Sequence, residues 1–269
     1  MADPESKPAP NDGSRRFTPS VLFIYDLLVI YFSNPLVWHC PTGKHLLPLF
    51  KENFSTRHLD IGVGNGYFPI AALTANKKSN GGKPPAGQHL TLVDLSPHSL
   101  DAAKQRILSR HPGAVDIRTV LADAAQPIAA AALGGEEGRP SFDSASLYLV
   151  LHCMPGPTAQ KARAFGVARQ HLSAEGVLIG STVLGKVWER GEDGRYRVKT
   201  DKVGWLTGFA LRFYNKRGIM DNYEEDPQVL EDVLKKEFEE VETRIVGMML
   251  LFKAKRPRVG LDNGIKVDE

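Results

Sequence analysis

From Arg57 onward, short apolar segments at 57–62, 89–94, 116–121, 142–149 and 176–183 alternate with stretches of helical spacing at about 67–76, 97–110, 124–133 and 158–172. Strict alternation leaves successive strands no hairpin on which to reverse. They must run parallel, each joined to the next by a helix that crosses one face of the sheet. At the far end the rule changes, because Glu239 to Gly247 and Met248 to Lys255 are two strand-like runs with almost nothing between them. So short a connection demands an antiparallel hairpin. The chain is therefore expected to be α/β, an open parallel sheet that finishes antiparallel.

The flanks divide the chain further. Residues 1–16, rich in Pro, Asp, Ser and Lys, bury too little to order and read as a disordered tail. Residues 17–56 read as a helical cap: Thr18-Pro19-Ser20 starts a helix with Val21, Ile24, Tyr25 and Leu28 on one face, Ser33-Asn34-Pro35 ends it, and a second helix covers Gly43 to Phe50. The sheet domain spans 57–255, and a flexible, locally basic tail fills 256–269. Within the domain, Lys77 to Gln88 and Gly134 to Pro140 read as surface loops. Lys186 to Lys202 reads as polar and irregular, Trp205 to Tyr214 as amphipathic and aromatic. A helix at about 226–237 has Asp226 as N-cap and Pro227 in its first turn.

Composition removes several function classes. Thirty-four basic against 31 acidic residues give a net charge of only +3, spread along the chain, so no nucleic-acid footprint is expected. The longest apolar run, Val21 to Phe32, is 12 residues and contains Asp26, against the roughly 20 a membrane helix needs. It has no small-residue cleavage site after it, and the two cysteines, Cys40 and Cys153, supply at most one disulfide. A cytoplasmic protein without a membrane partner is expected; the oligomeric state is open.

The most informative stretch is His58-Leu-Asp-Ile-Gly-Val-Gly-Asn-Gly-Tyr-Phe68, which closes a strand and opens a helix. It misses the dinucleotide pattern G-x-G-x-x-G/A, because Tyr67 stands at the third position and the glycine falls one place early, at Gly66. A tight backbone bend remains, against which a ligand can lie. Asp60 just before the bend suits an ammonium group. Asp94 ends the second strand, where nucleoside-binding folds hold ribose hydroxyls, and Asp123 ends the third, where it can accept from an exocyclic amine. Three carboxylates at the carboxyl edge of one sheet mark the ligand crevice of an open α/β fold.

Over about residues 55–255 these features resemble the class I S-adenosylmethionine-dependent methyltransferases. The resemblance rests on Asp60-Ile-Gly-Val-Gly-Asn-Gly66, Asp94, Leu121-Ala-Asp123, the strand Phe142 to Leu149 followed by Val150-Leu-His152, and the closing hairpin. It implies a Rossmann-like sheet of order 3-2-1-4-5-7-6 with strand 7 antiparallel, and S-adenosyl-L-methionine as cofactor. Asp60, Gly62, Gly64, Asn65 and Gly66 would hold its methionine part, Asp94 and Leu95 the ribose side, and Asp123 with Ala124 the adenine. Asn65 stands where the family more often has Thr, Ser or Cys. The cap, from Tyr25 to Thr42, is similar to small-molecule O-methyltransferases of fungal secondary metabolism.

For the acceptor, His152 is the candidate general base, since it follows the fourth strand at the cleft edge and imidazole titrates near neutrality; the competing role is packing or capping the turn. Tyr25 and Tyr148 are candidates to face the sulfonium by cation–π contact, against ordinary core packing. Trp205, Phe209, Arg212, Phe213 and Tyr214 are candidates to line the acceptor pocket, against a core stripe. No Asn/Asp-Pro-Pro-aromatic run follows the fourth strand, and no Asp-Asn pair follows the fifth, so base amino groups and metal-assisted catechols are not expected targets. The expected function is O-methylation of a small, largely apolar hydroxylated metabolite, polyketide-like, with no metal. The alternatives are a macromolecule methyltransferase, or a protein that keeps the cofactor but uses the pocket for binding or cyclisation.

Overall fold

The computed structural model describes residues 27–83, 87–135 and 141–258. A helix of wide turns, Leu27–Val37, runs through Ser33-Asn34-Pro35, where the sequence predicts a stop. Pro35 has no N–H to give, and the coil widens around it: the Trp38 N–H reaches the Ser33 carbonyl, five residues back, at 2.8 Å. Asn34 Nδ2 donates to Thr42 Oγ1 at 3.0 Å and ties this helix to α1, Thr42–Glu52. Tyr25, the expected helix start at Thr18 and most of both tails lie outside the described residues.

The alternation then follows: β1 Arg57–Ile61, α2 Tyr67–Ser79, β2 His89–Asp94, α3 Pro97–Arg110, β3 Asp116–Leu121 and β4 Phe142–Tyr148. A single tight turn, Leu151–Cys153, precedes α4 Thr158–Lys161, α5 Arg163–Gln170 and β5 Leu172–Val183. The remainder is β6 Val187–Arg190, β7 Tyr196–Thr200, α6 Trp205–Lys216, α7 Pro227–Glu237, β8 Phe238–Val246 and β9 Met249–Pro257. Seven strands form one sheet in the order β3-β2-β1-β4-β5-β9-β8, with β9 antiparallel to both its neighbours. Since β8 and β9 are the sixth and seventh strands of that sheet, this is the expected 3-2-1-4-5-7-6. The closing hairpin turns on Gly247 at φ 59°, the left-handed geometry a two-residue turn requires. Local signals set the helix starts: the Ser96 hydroxyl accepts the Ser99 N–H at 3.3 Å, and Asp226 accepts those of Gln228 and Val229 at 2.8 and 3.4 Å.

Five expectations are corrected. Residues 124–133 form successive tight turns rather than a helix; Pro127 lacks a donor and disfavours helical geometry at Gln126. The predicted helix 158–172 is broken at Ala162, and Leu172 already belongs to β5. Lys77 to Ser79 extend α2 rather than a loop, and β9 runs to Pro257, past the expected boundary at 255. The supposedly irregular 186–202 contains the β6–β7 hairpin, whose Arg190 lies 4.2 Å over the Tyr196 ring and reaches Glu231 Oε2 and Thr243 Oγ1, each at 2.6 Å. Alternating charges along these short strands hid their β-branched and aromatic residues.

Period-two alternation sorts the central strands onto two faces. Leu59, Ile61, Ala145, Leu147 and Leu178 pack with Phe165, Leu230 and Phe252 on one. Tyr148, Leu90, Leu92 and Ile179 meet Trp38, Leu46, Phe50 and Phe68 on the other, so the cap helices close that side. His58, Asp60, Ser144 and Ser146, at the alternate positions of β1 and β4, are buried beneath the cap.

Candidate active site

The turn after β1 places three glycines at positive φ, 76° at Gly62, 55° at Gly64 and 77° at Gly66. Two are also held by neighbours. A Cβ on Gly62 would stand 2.0 Å from Val150 Cγ2, and one on Gly66 would press on Ile107 of α3 at 3.2 Å, whereas Gly64 looks onto open space. The bend is thus packed against Val150 and Ile107 on its inner side and open at Gly64 on its outer side. Gly62→Ala is expected to lower unfolding stability by about 2–3 kcal/mol from strain plus overlap, Gly64→Ala by only about 1 kcal/mol from strain. Chemical denaturation of the two variants checks this; equal losses would show that Val150 yields freely.

Beside the bend stand two carboxylates. Asp60 is buried and accepts the Ser146 hydroxyl at 2.5 Å. Burial, with Asp94 nearby, pushes its pKa up to about 7, and the Ser146 bond opposes this. Asp94 accepts the N–H groups of Ser96 at 2.9 Å and Gly64 at 3.4 Å, yet burial still raises its pKa to about 6. Neutral donors therefore hold two mutually repelling acids. An ammonium group at Asp60 and hydroxyls at Asp94 would donate to these acceptors. Asp123, at the end of β3, is exposed and uses Oδ1 to accept the Ala125 N–H at 2.9 Å. Ala124 is half-buried, and Leu95 and Leu121 expose apolar side chains at the same edge. Because β1, β2 and β3 are neighbours, the sheet brings Asp60, Asp94, Leu95, Asp123 and Ala124 to one rim. Asn65 is buried within the bend, its carbonyl 3.4 Å from Arg106 Nη1.

The acceptor candidates divide. Tyr148 is buried against Phe68 and Phe50, ring centroids 4.6 and 5.4 Å away, and its hydroxyl faces the Leu46 carbonyl at 3.5 Å, towards the cap. His152 is buried in the tight turn after β4, lining a narrow crevice with Leu149, Val183, Tyr214, Met220, Trp38 and Asn34. Its Nδ1 accepts the Val183 N–H at 3.2 Å. The neutral ring consequently carries its proton on Nε2. Burial, aided by Lys161, lowers its pKa to about 3. Past the end of β5 a groove of about 600 Å³ opens, walled by Val203, Trp205, Leu211, Arg212 and Tyr223. Trp205 and Arg212 belong to it; Phe209 and Phe213 instead stack on each other at 6.3 Å along the exposed outer face of α6.

Comparison with known proteins decides the family. A model described as "Methyltransferase domain" matches residues 59–178. The chain is 38% identical over 259 residues to O-methyltransferase NEC2 of Pyricularia oryzae, covering 90% of this chain and 91% of the relative. This chain belongs to the class I S-adenosylmethionine-dependent methyltransferases. It is also 40% identical to the physcion biosynthesis cluster O-methyltransferase of Aspergillus chevalieri, covering 90% and 94% of the two chains. Among solved structures, a DhpI complex with S-adenosylhomocysteine shares the fold at TM-score 0.53 and 14% identity, covering 90% of this chain and 94% of that one. S-adenosylmethionine is thus the methyl donor of this methyltransferase. Of the aromatic stripe expected to line the acceptor pocket, Tyr214 lies instead in the crevice beside His152; the sequence alone did not point to Trp38, Met220 and Leu149 around His152, nor to the polar row His58, Ser144 and Ser146. The row had a readable signal: a histidine and two serines at apolar-expected positions of strands buried on both faces.

Proposed function

We propose that this methyltransferase transfers a methyl group to the hydroxyl of a small, largely apolar metabolite, polyketide-like and phenolic, in the cytosol. The observation that carries the reading is the groove at the end of β5, whose volume of about 600 Å³ suits a ligand of drug size. The relatives named O-methyltransferases support the acceptor atom. Two free cysteines agree with a reducing compartment, and among the described residues no helix is long and apolar enough to cross a membrane. The bound cofactor supplies an electrophilic methyl on sulfur. Asp60, the glycine bend and Asp94 hold it along the rim, with Leu95, Asp123 and Ala124 beside its base. Trp205 and Arg212 wall the acceptor, and Tyr148 keeps the cap seated on the sheet.

With Nδ1 committed to a backbone N–H, His152 braces the turn and offers no lone pair at Nε2 for a substrate proton. Alignment then carries the rate, and a phenolic acceptor loses its proton to solvent. Turnover is expected to rise with pH along the acceptor's own ionisation, so that two phenols of different acidity give correspondingly displaced profiles. His152→Asn, whose amide oxygen can still accept from Val183, should keep turnover within about tenfold. A loss of 10² to 10⁴ would make His152 the base.

A further inference from the structure

Beneath the cofactor bend, five side chains form one continuous hydrogen-bonded row across β1 and β4. Ser55 Oγ lies 2.6 Å from Ser144 Oγ, which lies 2.6 Å from His58 Nδ1; His58 Nε2 lies 2.8 Å from Ser146 Oγ, and Ser146 bonds Asp60 at 2.5 Å. At its outer end Ser55, half-buried, also has the Arg57 carbonyl at 2.8 Å. Each hydroxyl has one proton, so the row has only two complete polarities. In one, Ser55 donates to Ser144, Ser144 to Nδ1, Nε2–H to Ser146, and Ser146 to the Asp60 carboxylate. In the other every donor is reversed: the Asp60 carboxylic acid donates to Ser146, Ser146 to Nε2, Nδ1–H to Ser144, Ser144 to Ser55, and Ser55 to the Arg57 carbonyl.

We propose that this row is a proton relay in which His58 is a positioning residue, switching Asp60 between acid and carboxylate as the aminoacyl end of the cofactor leaves and arrives. The inference rests on Asp60 as the ammonium site. When a cation meets Asp60, the acid proton passes to Ser146, the Ser146 proton to Nε2, the Nδ1 proton to Ser144, that of Ser144 to Ser55, and that of Ser55 to water. No heavy atom need move, and the released proton is balanced by the cation that replaces it. The groups facing the row are few. Among the described residues, Asp94 on β2 raises Asp60, Tyr148 on β4 stays un-ionised, and the rings of Phe50 and Phe54 lie against His58. Burial lowers the His58 pKa to about 3, so the ring changes tautomer rather than charge.

The test is nitrogen NMR of the full chain labelled in histidine, His58 being assigned through its contact with the Phe54 ring, 4.8 Å away. In the ligand-free protein near pH 6 the expected tautomer is Nδ1–H, becoming Nε2–H as pH rises through about 7. At pH 6, saturating S-adenosylhomocysteine should produce the same swap. 5′-Methylthioadenosine, which keeps the ribose for Asp94 but lacks the ammonium, should not. S-adenosylhomocysteine affinity should tighten by about tenfold per pH unit up to about 7, the slope of one proton released. In Ser146→Ala the ligand should bind more weakly and the His58 tautomer should no longer follow it. One unchanging tautomer in the wild type, or an imidazolium with both nitrogens protonated, overturns the relay while leaving the cofactor reading intact. Absence of S-adenosylhomocysteine binding overturns both.

Discussion

Glu225→Ala should cost the fold about 3–5 kcal/mol, read as a fall in the denaturant midpoint. The Glu225 carboxylate and the Lys161 ammonium meet at 2.8 Å with side chains 0% and 1% exposed. Removing one leaves a buried, uncompensated charge. Lys161 also donates to the Asp221 carbonyl, Thr182 donates to Glu225 at 3.0 Å, and the Asp221 N–H bonds the His152 carbonyl at 2.8 Å. The pair therefore braces the turn that carries His152 as well as the fold. Burial raises the Glu225 carboxyl and Lys161 pulls it back, so the pair is a constraint more than a source of stability. Lys161→Met combined with Glu225→Gln should recover most of the loss. If Glu225→Ala unfolds at the wild-type midpoint, water reaches Lys161 and the site is not closed.

Asp94→Ala should weaken S-adenosylhomocysteine by about 1.5–3 kcal/mol, or roughly 10- to 150-fold in calorimetry, for a lost charge-assisted hydrogen bond. The three N–H groups that Asp94 now gathers, from Gly64, Leu95 and Ser96, would also be freed, loosening the glycine bend. Asp94→Asn separates the two effects, because an amide oxygen still accepts from the backbone while the charge is gone. Unchanged affinity in Asp94→Ala would remove the ribose assignment.

The parallel alternation, the closing hairpin and the carboxylate rim were legible because they follow from periodicity and from where parallel strands must end, while the strand order was legible only through the family resemblance. Asp60, Asp94 and Asp123 each close a strand, and the sheet order makes those strand ends neighbours. What was not legible depends on contacts between distant segments. Nothing near His152 in sequence says that Val183, 31 residues on, donates to it. The exposure of Phe209 and Phe213 reflects which face of α6 the cap takes; periodicity gives a stripe but not its direction. His58 carries no such signal within its own motif, since its partners are serines 86 and 88 residues away.

The wall of the proposed acceptor groove is fastened at its two ends. At one end Arg190 pins the β6–β7 hairpin to α7 and β8, and at the other the Thr207 hydroxyl holds α6 to the Val37 carbonyl at 2.7 Å. Trp205 and Arg212, which line the groove from α6, are exposed and make no contribution to the sheet's core. Substrate choice can therefore drift by substitution along one helix face, while the donor end, locked by Val150 against Gly62, tolerates almost none. A library confined to the groove-facing positions Trp205 and Arg212 of α6 should change which acceptor the enzyme prefers long before it changes whether the enzyme folds.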